Sequence, residues 1–193
     1  MHPITLSPAH RYADPAGAEY LGVTSMLKAA GLMGDTPFYT EESRDRGSYV
    51  HQAIAYDLVG DLVEPADDDP IRPYVVAFRQ WVLDARPETI LAERAMADPT
   101  LKVAGTVDLV CRIQDATYVV DHKTGTEAPW HALQTACYAH LAFVNELGAR
   151  FKRAALYLRD DGTYRFVEHA DRQDWDIARA ALTLARWRSI HGC

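Results

Sequence analysis

Residues 105–123, GTVDLVCRIQDATYVVDHK, decide the fold. Two apolar, β-branched runs separated by a short polar turn read as consecutive strands. Asp108 lies on the first strand, and Asp121 and Lys123 lie two apart on the second. Residues i and i+2 of a strand point to the same face. A carboxylate and an amine therefore project side by side from the end of the otherwise apolar strand TYVVDHK, and the neighbouring strand can bring a second carboxylate. Two carboxylates suit a hard divalent cation. A lysine beside them can hold an attacking water or stabilise charge on a phosphate, so the pattern points to metal-dependent hydrolysis of a phosphodiester.

Working outward, Thr89–Ala97, Lys102–Ile113 and Thr117–Lys123 form a run of three strands. Before them, helical periodicity predicts a helix from about Glu42 to Leu58, with Val50, Ile54 and Leu58 on one side. A second helix is expected from about Ile71 to Ala85, carrying Val75, Phe78 and Val82 on one face. A short helix, SMLKAA, should follow Thr24 as its N-cap and stop at Gly31, after an irregular arm over residues 1–22 that contains Pro3, Pro8 and Pro15. A loop around Pro37 precedes the first long helix, and an acidic loop spans Glu64–Asp69. Downstream, Pro129 opens a helix to about Leu147, Phe151–Arg159 and Thr163–Glu168 pair about Asp160–Asp161–Gly162, and a last helix covers about Asp171 to Ile190. The order is three helices, βββ, α, ββ, α. It predicts one α/β (α+β) domain over residues 1–193, with helices packed on a mixed central sheet.

The 193 residues carry a net charge of −7 and three cysteines, Cys111, Cys137 and Cys193. The acidic balance argues against broad coating of duplex DNA, which depends on phosphate neutralisation. It leaves room for an acidic metal site beside a local basic groove. An odd number of cysteines without CxxC spacing fits neither a disulfide framework nor a structural zinc site, and three thiols cannot supply a four-cysteine iron–sulfur cluster. The N-terminal MHPITLSPAH lacks the basic and apolar regions of a signal peptide, and no apolar run approaches membrane-spanning length. The expected location is the cytoplasm, of a bacterial or phage-infected cell, with no membrane partner.

Four ordered motifs extend the pattern: RGSYVH (46–51), GTVD (105–108), DHKTG (121–125) and QTACY (134–138). On these the sequence resembles the PD-(D/E)XK nuclease superfamily, in the branch of RecB-type, Cas4-type and phage exonuclease domains. The resemblance spans roughly residues 44–140. It implies a restriction-endonuclease-like αβββαβ core, matching the element order read above, and a deoxyribonuclease dependent on Mg²⁺ or Mn²⁺, with one or two ions. The absence of the iron–sulfur cysteines departs from the Cas4 pattern.

The resemblance also implies roles, each beside a plainer reading. His51 would bind metal through a ring nitrogen, where a lone histidine would otherwise be a core or surface residue. Asp108 and Asp121 would be direct metal ligands rather than salt-bridged strand ends, and the His122 backbone carbonyl would add an oxygen. Lys123 would orient the nucleophilic water rather than snorkel into solvent. Glu93, in LAERAMA, would line the site or bind a second metal, or else serve as a strand glutamate. Gln134 and Tyr138, at i and i+4 of a helix, would position DNA or the lysine, or else form a hydrogen-bonded core edge. Arg44 and Arg46 would hold phosphate or pair with Glu41, Glu42 or Asp45. Thr24 and Ser25 would meet phosphate at a helix N-terminus or merely cap it. Among the aromatics Tyr39, Tyr49, Trp81 and Trp130, Trp130 is the better candidate for stacking on unpaired bases, and Trp81 for core packing.

The expected substrate is DNA, as single strands or ends, with a recombination protein as a possible partner. The alternatives are a structure-specific endonuclease on the same fold and a non-catalytic DNA-end-binding module.

Overall fold

The computed structural model describes residues 2–7, 9–34 and 40–192. Pro8, Pro37, Tyr39 and Cys193 lie outside them, as does the side chain of Glu41. In chain order the elements are β1 (Thr5–Leu6), β2 (Tyr12–Ala13), β3 (Glu19–Gly22), α1 (Val23–Ala29), α2 (Glu41–Val59), α3 (Arg72–Ala85), β4 (Glu88–Asp98), β5 (Val103–Ile113), β6 (Ala116–Lys123), α4 (Trp130–Val144), β7 (Lys152–Leu158), β8 (Tyr164–Glu168) and α5 (Gln173–His191). The result is the mixed sheet flanked by helices that the element order predicts, a restriction-endonuclease-like fold.

β5 is the hub. On one edge β4 runs antiparallel along nearly its whole length, from Asp98 opposite Val103 to Glu88 opposite Arg112. The other edge is divided. β3 pairs in parallel at Leu21–Val103 and Gly22–Ala104, and β6 pairs antiparallel only from Leu109–Val120 to Ile113–Ala116. Residues 105–108 therefore face a gap between the two partners. Past Val120, β6 leaves β5 but stays on β7, with Asp121 opposite Ala155 and Lys123 opposite Tyr157 in parallel register. The strands fork at the point where the motif residues begin.

Helices cover both faces. α1, α4 and α5 enclose one core with Met26, Leu27, Val107, Val119, Leu141 and Ala181. α2 and α3 enclose another with Ile54, Phe78, Trp81, Leu109, Val120 and Leu156. The strict alternation of β5 slips at the fork. Val103 and Val107 face the first core, whereas Leu109 and Cys111 face the second. β4 slips with it, since Met96 lies in the first core and Ala92 packs on the second. Glu93 sits at the slip with φ +45°, a left-handed conformation seldom adopted by a non-glycine residue inside a strand.

Local chemistry accounts for most element ends. Thr40 caps α2 by accepting the Ser43 N–H at 3.1 Å, and Gly60 ends it at φ +77°. Arg79 of α3 donates from Nε and Nη2 to Asp57 at 3.0 and 2.7 Å, which ties α3 to the helix that carries His51.

Two expectations need correction. Thr24 is not the N-cap of α1. Gly22, extended at the end of β3, takes that place without a side-chain bond, because the strand passes directly into the helix. Nor are residues 1–22 wholly irregular. β1, β2 and β3 form a small meander whose last strand docks on β5, with Tyr20 packed against Ala97 and Ala104. A two-to-four-residue strand carries too little periodicity to be read locally, and its pairing depends on residues some eighty positions away.

Candidate metal and phosphodiester site

At the fork, side chains replace the missing ladder. Asp108 accepts the His122 N–H at 2.8 Å through Oδ2, where an undiverged sheet would supply a strand carbonyl. Asp108 is only 5% exposed. His51 comes in from α2, with Nε2 3.0 Å from the His122 carbonyl oxygen. Its Nδ1 is 3.3 Å from Glu93 Oε1 and 3.5 Å from Asp108 Oδ2. The slip in β4 delivers Glu93. The pairs Ala92–Leu109 and Arg94–Val107 put Glu93 opposite Asp108, so two carboxylates on adjacent strands face one imidazole.

On the far side of β6, Lys123 Nζ lies 2.7 Å from Asp121 Oδ2 and donates to Gln134 Oε1 at 2.9 Å. Gln134 Nε2 donates in turn to the Tyr138 hydroxyl at 2.9 Å. Gly105 completes this chain of contacts. A Cβ there would sit 2.7 Å from Tyr138 Cε1, so the tyrosine ring needs the bare backbone of the GTVD strand. A Cβ at Gly47 of the RGSYVH helix would come only into ordinary contact, 3.6 Å, with Thr124 Oγ1. The DHKTG strand end thus touches each of the other three motifs around the fork.

The charges respond to burial. Burial opposes a charge on His51, but the carboxylates of Asp108 and Glu93 outweigh it and hold the imidazolium up to about 9. Burial pushes the Asp121 carboxyl up to about 6 against the pull of Lys123. Burial also raises Asp108, while His51 pulls the other way. Carboxyls raised in this way are short of positive charge. Asp121 Oδ1 is buried with no donor, and Glu93 Oε1 makes no well-formed hydrogen bond. An unmatched buried carboxylate is costly unless a cation or donors answer it. The donor types, carboxylates, an imidazole and a main-chain carbonyl, fit a divalent cation.

The expected residues do not all converge. Among the described residues, the side chains whose ligand atoms all lie within 4.8 Å of one another are His51, Glu93 and His122, a group that includes neither Asp108 nor Asp121. The ring of His122 was missed by sequence reasoning, which assigned that residue only its carbonyl. Gln134 and Tyr138 are buried and bonded to each other, and Gln134 also accepts from Lys123. Trp130 stands beside the lysine, with Nζ 5.5 Å from its ring centroid. Arg46 lies over the Tyr74 ring at 5.6 Å, and Arg44 has its neighbour Asp45 at 4.0 Å. Thr24 and Ser25 are exposed on a helix of seven residues, too short for an N-terminal anion site to be argued. Tyr49 is exposed on α2, and Trp81 is core, stacked on Phe166. Two open grooves of about 540 and 600 Å³ lie elsewhere, one beside Trp81 and Tyr118 and one beside His140 and Trp175. Their size alone does not outweigh the chemistry at the fork.

The family model of the PD-(D/E)XK nuclease superfamily matches residues 61–192, a span that holds Glu93, Asp108, Asp121, Lys123, Gln134 and Tyr138 and begins after His51. A proposed exonuclease from Eubacterium rectale superposes with a TM-score of 0.55 at 12% identity, over 88% of this chain and 79% of its own, which shows a shared fold. An alkaline exonuclease from Laribacter hongkongensis gives a TM-score of 0.42 at 11% identity, over 88% of this chain and 87% of its own. Its complex with dAMP gives 0.39 at 12% identity, over the same shares. No curated protein matches the chain. Among the described residues no helix is long and apolar enough to cross a membrane.

Proposed function

Because this chain belongs to the PD-(D/E)XK nuclease superfamily, we propose that it is a divalent-metal-dependent deoxyribonuclease, acting as an exonuclease on single strands or DNA ends in recombination, repair or phage DNA processing. The observation that carries this reading is the fork between β5 and β6. On one side of it Asp108 accepts the His122 N–H, and on the other Asp121 pairs with Lys123.

Asp108, Asp121, His51 and the His122 carbonyl would hold one or two Mg²⁺ or Mn²⁺ ions, with Glu93 at the edge of the set. When bound, such an ion polarises the scissile phosphate and lowers the pKa of a water. Lys123 then orients the attacking water in line with the leaving oxygen and offsets charge growing on the phosphate. Gln134, held by Tyr138, fixes the ammonium in that position. Trp130, beside Lys123, offers a ring face on which an unpaired base can stack. Asp121 plays two parts, ion ligand and partner of Lys123, so its replacement should damage binding and chemistry together.

End-labelled single-stranded DNA incubated with Mg²⁺ or Mn²⁺ should be degraded, and EDTA should stop the reaction. Lys123→Ala should lower the rate by about a hundredfold to a thousandfold without loss of the circular-dichroism spectrum. Full activity in that variant would remove the mechanism. Cleavage of closed circular single strands at the same rate as linear ones would reassign the protein as an endonuclease on the same core.

A further inference from the structure

His122 contributes more than its main chain. Its ring is 1% exposed, meets Phe78 edge-on with centroids 5.5 Å apart, and has no hydrogen-bond partner at either nitrogen. A buried imidazole satisfied at neither nitrogen is rare in a native protein and calls for a reason. The reason lies beside it. One ring nitrogen of His122, one of His51 and one carboxylate oxygen of Glu93 all fall within 4.8 Å of one another. The two imidazole rings stand edge to face, 5.8 Å between centroids. Glu93 is brought there by the left-handed backbone at φ +45° in the middle of β4. Backbone strain of this kind persists only where the surroundings impose it, and it collects at ligand sites.

We infer that His51, Glu93 and His122 form a coordination site for a borderline transition-metal ion such as Zn²⁺, set apart from the oxygen-rich set by the His122 ring nitrogen but sharing with it His51 and, at its edge, Glu93. Two imidazoles and one carboxylate are a donor set that zinc takes in tetrahedral geometry with a fourth position open. Mg²⁺ requires near-octahedral oxygen coordination and keeps several waters, so it gains little from a second ring nitrogen. Zinc–nitrogen bonds of about 2.0–2.1 Å place tetrahedral ligand atoms roughly 3.4 Å apart. The three groups therefore need only draw together. Because His51 cannot serve both sets at once, zinc at this site withdraws a ligand from the ion that would support hydrolysis. The site thereby makes zinc an antagonist of the Mg²⁺-loaded form. This consequence rests on the nuclease reading, whereas zinc binding itself does not.

Calorimetric titration of the metal-free protein with ZnCl₂ and with MgCl₂ tests the site, with Co²⁺ as a spectroscopic probe. The wild type should bind Zn²⁺ through this trio and give the visible d–d absorption of nitrogen-ligated cobalt. His122→Phe keeps the main-chain carbonyl and an aromatic ring against Phe78. It should lower the ratio of Zn²⁺ to Mg²⁺ affinity by about tenfold or more and weaken the cobalt band. Glu93→Gln, on a different strand, removes one of three zinc ligands but only an edge member of the oxygen-rich set, so it should lower the same ratio and keep the test decisive if one variant folds poorly. Asp121→Asn should move the ratio the other way. A ratio unchanged in both His122→Phe and Glu93→Gln would overturn the site. If no DNA cleavage occurs with any metal while His122-dependent zinc binding persists, the site stands and the nuclease reading falls.

Discussion

At the residue scale the site depends on a relay of small contacts, and each makes a distinct prediction. Gln134 touches Lys123 and is buried. Gln134→Ala should therefore lower kcat by about tenfold to a hundredfold with little change in KM, the pattern of a loosened catalytic group rather than of lost binding. A rise in KM at constant kcat would place Gln134 on the DNA instead. Gly105→Ala would force its Cβ against the Tyr138 ring. It should destabilise the protein by about 1–3 kcal/mol in urea unfolding, with activity falling alongside because the ring carries Gln134. Tyr138→Phe, which keeps the ring and removes only the hydroxyl, should be milder on both measures.

At the element scale, the β4–β5 hairpin holds Glu93 and Asp108 in register, and its turn is set by one carboxylate. Asp98, 4% exposed, accepts the N–H groups of Thr100 and Leu101 at 2.7 and 2.9 Å. Its other oxygen lies 2.7 Å from His140 Nε2 on α4. The His140 ring stacks on Trp175 at 4.1 Å, so the turn, α4 and α5 meet at one point. Asp98→Ala should cost about 1–3 kcal/mol, since it strands three part-buried donors, one of them on an ionisable ring. Burial raises the Asp98 carboxyl, but the Leu101 N–H, His140 and the Thr100 N–H together hold it below its ordinary 3.8. A carboxyl depressed in the folded state stabilises the protein above its unfolded pKa and loses that contribution as pH falls through the lower folded value. The stability gap between wild type and Asp98→Ala should therefore narrow as the solution is acidified below 3.8. A gap that widens in acid would show that hydrogen bonding to the neutral acid, not to the carboxylate, shapes the turn.

At the scale of the whole molecule, the sheet hub β5 is shared among partners that lie far apart in the chain. The N-terminal meander closes one end of the gap that holds Asp108. Its Tyr12 hydroxyl lies 3.0 Å from Thr106 Oγ1, two residues from that carboxylate. Removing residues 2–22 should expose the Val103–Ala104 edge and lower the unfolding midpoint by about 4–8 °C, equivalent to about 2 kcal/mol for a chain of this size. An unchanged midpoint would mean that the docked β3 adds nothing to the hub. The net charge of −7 also belongs to this scale. Under the proposed function it would leave strand binding to local groups near the fork, such as Lys123 and Trp130, rather than to the general surface.

The long helices, the three-strand run β4–β6 and the projection of Asp121 with Lys123 could all be read from the sequence, because helical and strand periodicities are properties of neighbouring residues. So could the closing hairpin about Gly162, where a positive φ requires a glycine at the turn. The meander in the arm, the fork that frees residues 105–108, the slip that turns Glu93 toward His51 and the inward ring of His122 were decided only by the tertiary structure. Each depends on which strand lies against which edge, and on helices that close over opposite faces of the sheet. A local pattern of side chains carries no record of either.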